Sequence, residues 1–165
     1  MEYKVTFSSL PRSLEEMKQL KEAGLTSPED TAALTVAALA LYPENKEECE
    51  KMLDYLRGPR PLSVMEKQFL RDRFMDNRGY IPLSYFKGAS VNNNYTPDLP
   101  YVIEMSDSTA PIAEEGYRIM NLRSAGADHA RTVTLRLKPS TGQWFLFDQA
   151  LLAQIREPAG SDPWA

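Results

Sequence analysis

The clearest alternation of apolar and polar positions runs from Arg131 to Phe147, RTVTLRLKPSTGQWFLF. Val133, Leu135 and Leu137 alternate with Thr132, Thr134, Arg136 and Lys138, the period of a strand with one apolar face. Trp144, Phe145, Leu146 and Phe147 are apolar in succession, as in a strand covered on both sides. Between the two runs, Pro139 presets a turn and Gly142 tolerates the left-handed conformation that returns the chain. The stretch predicts a β-hairpin at the middle of a sheet. Tyr3, Val5 and Phe7 predict a short first strand, and Tyr101 to Met105 and Tyr117 to Leu122 predict two more. After the hairpin, Leu151, Leu152 and Ile155 predict a short closing helix over Gln149 to Arg156.

Between the first strand and the remaining ones the period is helical, and four helix starts are signalled. Ser13 with Glu16, Asn45 with Glu48 and Ser63 with Glu66 have capping-box spacing, in which side chain and backbone satisfy each other's free amides. Ser27-Pro28-Glu29-Asp30 supplies a cap, a proline at the first helical position and acids at the positive end of the helix dipole. Gly24, Pro43 and Gly58-Pro59 are the stops. The third helix has a one-sided stripe, Cys49, Met52, Leu53 and Leu56, whereas the second, TAALTVAALALY, is apolar nearly all round and should be central. The fourth, Val64 to about Asn77, spreads its apolar residues widely and reads as a linker touching both bundle and sheet. The fold class is therefore α+β in one domain, 1–165: a helical half (9–78) packed on a mainly antiparallel sheet half (79–157), with a loop-like tail (158–165). Trp164 in that tail should dock on the body, because a free indole exposes much apolar area.

Composition narrows the function classes. A net charge of -4 argues against nucleic acid as partner. Ala32 to Leu41, the most apolar run, is about half of what crosses a bilayer, so no membrane partner is expected. The single cysteine and an N-terminus without a signal-peptide pattern fit the cytoplasm.

One histidine and one cysteine cannot build a usual zinc or iron–sulfur site, so neither a metal nor any other cofactor is expected. Glu29-Asp30 and Glu114-Glu115 are the carboxylate pairs, read as dipole complement and solvated loop. His129 sits beside Asp128, but sequence adjacency does not give triad geometry, and Cys49 falls on a buried stripe. No catalytic residue is assigned. Basic residues are dispersed except at Arg57-Gly58-Pro59-Arg60 and at Arg71-Asp72-Arg73, the latter read as surface ion pairs.

Gly79 to Tyr101, GYIPLSYFKGASVNNNYTPDLPY, is long for a connection in a compact domain. Rigid aromatics beside amides are the composition of a recognition surface, which nominates Tyr80, Tyr85, Asn92, Asn94, Tyr95, Asp98 and Tyr101. The same residues could instead make a strap, with tyrosines pinning the coil to the sheet and asparagines taking left-handed turns. A recognition surface requires the tyrosines to be accessible and to face one way, with Tyr95 at a loop tip.

SPEDTAALTVAALALYPENKEECEKMLDYLRGPRPLS, YIPLSYFKGASVNNNYTPDLPY and VTLRLKPSTGQWFLF, with IREP and SDPW behind them, together resemble a family of bacterial proteins, mainly from Firmicutes, that has no assigned activity. The resemblance implies one integral unit and transfers no function. The leading expectation is a non-enzymatic binding or interaction protein that meets an unknown partner through 79–101. The alternative is a small-molecule binder or enzyme with a cleft between helices and sheet.

Overall fold

The computed structural model describes residues 1–108 and 115–164. Strand β1 (Glu2–Phe7) leads into helices α1 (Leu14–Lys18), α2 (Pro28–Ala40), α3 (Lys46–Arg57) and α4 (Val64–Phe74). Strands β2 (Tyr101–Asp107), β3 (Tyr117–Leu122), β4 (Arg131–Lys138) and β5 (Gln143–Gln149) follow. They form one antiparallel sheet in the order β1-β2-β3-β4-β5. The fold is α+β, as the patterns predict.

The helix starts form by the local chemistry expected of them. Ser13, Ser27, Asn45 and Ser63 accept the backbone N–H three residues on, at 3.1, 3.4, 3.2 and 3.1 Å. At Ser63 the box closes, Glu66 Oε1 accepting the Ser63 N–H at 2.9 Å. Glu48 instead turns to α1, accepting the Leu14 N–H at 2.9 Å. The first helix is shorter than expected: α1 stops at Lys18, a 3-10 turn covers Lys21–Gly24, and Leu25, not a glycine, takes the left-handed conformation at φ 57°. Met17, Ala23 and Leu25 are all buried. An unbroken helix would turn Ala23 roughly 120° away from Met17, so the break lets both reach the core.

Helix α2 is central and buried on all sides from Thr31 to Leu39, packing against β1, β3, β4 and β5. It also ties down β5. Thr31 Oγ1 donates to the Trp144 carbonyl at 2.6 Å, and the Trp144 N–H donates to the Leu25 carbonyl at 2.8 Å. These bonds correct one expectation. The β4–β5 hairpin is not the middle of the sheet; β5 is an edge strand with Trp144 half-buried, and α2 with its entry loop occupies part of that edge. The apolar run of β5 reflects two different coverings. Leu146 lies in the core, whereas Phe147 meets Tyr117 edge-on at 5.1 Å.

Three further expectations change. No helix forms over Gln149 to Arg156; the chain runs as turns, although Leu151, Leu152 and Ile155 are buried as that pattern required. Trp164 is 93% exposed and does not dock. Arg71 meets Gln68 at 3.1 Å and Arg73 lies over the Phe69 ring, so in place of the expected surface ion pairs these arginines make amide and aromatic contacts among the described residues. Among the described residues, no helix is long and apolar enough to cross a membrane.

Candidate functional site

The segment 79–101 opens with a 3-10 helix, Arg78–Tyr85, that contains Pro82. Its tyrosines point inward. Tyr95, expected at a loop tip, is 0% exposed, and its hydroxyl donates to the Arg156 carbonyl at 2.6 Å. Tyr85 is 3% exposed and donates to the Leu151 carbonyl. Tyr80, half-buried, stacks on Tyr95 with ring centroids 5.6 Å apart and donates to the Ile155 carbonyl at 3.4 Å. Three phenols thus hold three carbonyls of one turn-rich stretch, 151–156, which has no regular ladder of its own to satisfy them. Burial pushes the pKa of all three tyrosines up, so they stay protonated donors. Tyr101 is half-buried and meets Phe86 edge-on at 5.5 Å.

The polar members face outward or serve the backbone. Asn94 Oδ1 accepts the Gly160 N–H at 2.7 Å, while Asn92 and Asp98 are exposed. Asn93 organises the turn: Oδ1 accepts from Ser90 N and Thr96 N, and Nδ2 donates to the Gly88 and Thr96 carbonyls. Asn94 and Tyr95 both adopt left-handed backbone, φ 56° and 54°, tolerable for asparagine and held for the aromatic by its burial. The nominated tyrosines therefore do not share an accessible face. They behave as the strap alternative requires.

That strap nevertheless builds a concave site. Pairing of β2 with β3 covers only Met105–Asp107, opposite Leu122–Met120. Toward its N-terminal end β2 turns to the strap instead: Phe86 bridges Ile103, and the Lys87 N–H donates to the Val102 carbonyl at 2.8 Å. Across the gap, the Ala125 N–H donates to the Ser84 carbonyl at 2.9 Å. The sheet forks around residues 84–87, and a cleft of about 640 Å³ opens there. Glu2, Glu104 and Ser106 line it from β1 and β2; Lys87 lines it from the strap; Asn121 and Arg123 line it from β3 and beyond.

Ser84 and Ser124 also border the cleft. They form a closed relay: Gly126 N–H to Ser124 Oγ at 3.0 Å, Ser124 Oγ to Ser84 Oγ at 2.7 Å, Ser84 Oγ to the Ile81 carbonyl at 2.7 Å. Both hydroxyl protons end on oxygens that are not bases, so neither serine is arranged as a nucleophile. Asp128 is engaged by Arg156, which lowers its pKa, rather than by the His129 ring. Burial pushes the Cys49 thiol far up, leaving it protonated and inert. Among the described residues no three metal-ligating side chains cluster. Of the carboxylate pairs, Glu29 and Asp30 lie in the first turn of α2, Glu115 is exposed, and Glu114 lies outside the described residues.

The cleft residues come from separate chain segments, and no local motif marks them. Lys87 lies within 79–101, but Glu104, Asn121 and Arg123 become neighbours only through strand register.

Fold and cleft define a class: a single-sheet α+β domain with an open, polar concavity where the sheet forks around a strap. The chain belongs to the family described as Domain of unknown function (DUF6935), which matches residues 9–159. No curated protein and no solved structure matches it.

Proposed function

We propose that this protein is a non-enzymatic binder of a small polar molecule that carries both an anionic and a cationic group, such as an amino acid or short peptide, in the cleft at the sheet fork. The observation behind this reading is the charge arrangement. Glu2 and Glu104 line the cleft from β1 and β2, Lys87 from the strap in the fork and Arg123 from beyond β3, and none of the four forms an ion pair among the described residues. Unpaired charges of both signs around one cleft complement a zwitterion, and Ser106 and Asn121 add neutral donors and acceptors. The closed serine relay favours binding over bond-breaking chemistry. We also place the protein in the bacterial cytoplasm, where a lone buried thiol needs no partner.

The test is thermal unfolding and calorimetric titration against free amino acids and dipeptides. A ligand at a hundred times its Kd should raise stability by about 2.7 kcal/mol, and the shift should be lost in Lys87→Ala/Arg123→Ala. A folded protein that no such compound stabilises, or a shift that survives the double substitution, refutes this reading. An interaction role for the outer rim of 79–101 rests on Leu99, 73% exposed, beside exposed Asp98. It predicts that Leu99→Ser abolishes a partner's binding without changing the ligand shift.

A further inference from the structure

A second feature lies at the edge of the sheet opposite β1. Arg60, in the α3–α4 connection, lies over the Phe147 ring at 4.8 Å; Phe147 meets Tyr117 at 5.1 Å; and Arg136 lies over Tyr117 at 5.3 Å. The result is a continuous row of guanidinium, ring, ring and guanidinium from the connection to β4. Beside it opens a hollow of about 310 Å³ bordered by Arg60, Arg136, Lys138, Phe145 and Phe147.

The charge of this row exceeds that of its acidic neighbours. Arg57, which also borders the hollow, is neutralised by Glu66 at 2.6 Å. Arg60, Arg136 and Lys138 form no ion pair among the described residues, Glu66 near Arg60 being paired with Arg57, and no acidic residue lines the hollow. In a chain of net charge -4 this is a local reversal of sign. Each guanidinium lies over a ring, which restrains the side chain, and neither guanidinium makes a hydrogen bond among the described residues. A guanidinium restrained in this way suits bidentate contact with a carboxylate, with less side-chain entropy left to lose on binding.

We propose that this face docks an acidic peptide segment of a partner protein, its carboxylates held by Arg60, Arg136 and Lys138 and its aliphatic stems laid in the hollow beside Phe145. Strands lie roughly 4.8 Å apart, and alternate side chains of an extended peptide are spaced at about 7 Å, so one short acidic run reaches cations on β4 and beyond β5 together. Nucleic acid fits less well. Its bases need open ring faces to stack on, and here guanidiniums already lie over Tyr117 and Phe147. The hollow lies at the lower end of the size that encloses a small molecule, which favours a segment lying across it.

The experiment is fluorescence anisotropy with a fluorescein-labelled hexaglutamate peptide, against a labelled hexa-alanine peptide and an oligothymidylate of equal charge. Wild-type protein should bind hexaglutamate saturably and hexa-alanine not at all. Affinity should fall at least about tenfold in Arg60→Gln/Arg136→Gln, and should also fall as NaCl rises from about 50 to about 300 mM. If that double variant unfolds early in a thermal scan, Lys138→Glu, which leaves the ring row intact, should still weaken hexaglutamate binding severalfold. Absence of saturable hexaglutamate binding, affinity unchanged in the folded variants, or tighter binding of the oligothymidylate would each overturn the proposal.

Discussion

Tyr95 concentrates several of this protein's constraints on one side chain. Its backbone is left-handed at φ 54°, its ring is fully buried against Tyr80, and its hydroxyl closes the Arg156 carbonyl. Tyr95→Phe keeps the ring and leaves that carbonyl without its donor, which should cost about 1–2 kcal/mol in urea unfolding. Tyr95→Ala also empties the ring site and should cost about 3–5 kcal/mol. A loss under about 1 kcal/mol for the alanine variant would show that the strap does not depend on this ring. Gly126 is the matching position on the other side. A Cβ there would overlap the Tyr95 hydroxyl and come within 2.7 Å of Ile155 Cγ2. Gly126→Ala should therefore cost about 1–3 kcal/mol through overpacking, and less in a Tyr95→Phe background, where only the Ile155 overlap stays severe, a coupling that a double-mutant cycle measures.

At the scale of elements, the α3–α4 corner depends on one carboxylate. Glu66 closes the capping box on Ser63 and also neutralises the nearly buried Arg57, whose Nε donates to the Arg60 carbonyl at 2.9 Å. Burial works against the Glu66 charge, but hydrogen bonds from Ser63 and the nearby Arg57 and Arg60 outweigh it and hold the pKa below the ordinary 4.5. A depressed carboxylate pKa stabilises the fold above the unfolded-state value, and that contribution disappears as pH falls through the folded-state value. Glu66→Gln should thus cost about 1–3 kcal/mol at pH 7, leaving Arg57 without its counter-charge. The gap between wild type and variant should close as pH drops below 4.5; a gap that persists in acid would mean the charge is not what matters. The same corner brings Arg60 to the ring row, so the cap and the proposed docking face share one turn.

For the whole molecule, the end of the chain divides into two parts of unequal weight. Residues 151–156 place Leu151, Leu152 and Ile155 in the core and give three carbonyls to the strap tyrosines. Beyond them, the described backbone bonds to the strap are Ala159 N–H to the Val91 carbonyl and Gly160 N–H to Asn94. Truncation after Glu157 should lower stability by about 1–2 kcal/mol, whereas truncation after Gln149 should abolish cooperative unfolding, since it removes core side chains at several sites. Circular dichroism during thermal unfolding separates the two outcomes.

Much of this architecture is legible in the chain. Helix starts at Ser13, Ser27, Asn45 and Ser63 follow from contacts three residues apart, and the strands show in alternation between neighbours; such signals are local and need no fold to be read. The all-round apolarity of TAALTVAALALY likewise announces a central helix. What tertiary structure alone decided is where those elements stand relative to one another. The hairpin's apolar second strand looks central by composition, yet it lies at an edge, because α2 and the Gly58–Arg60 turn supply its covering in place of neighbouring strands. In 79–101 no period tells which way a tyrosine faces. Tyr80, Tyr85 and Tyr95 turn inward because the 151–156 turns bring unsatisfied carbonyls within reach of their hydroxyls. The cleft joins Glu2, Lys87, Glu104 and Arg123 only because β2 exchanges one partner for another partway along its length. Composition and periodicity determined the elements; the register between distant segments decided which side chains meet, because pairing energy depends on neighbours that lie far apart in the chain.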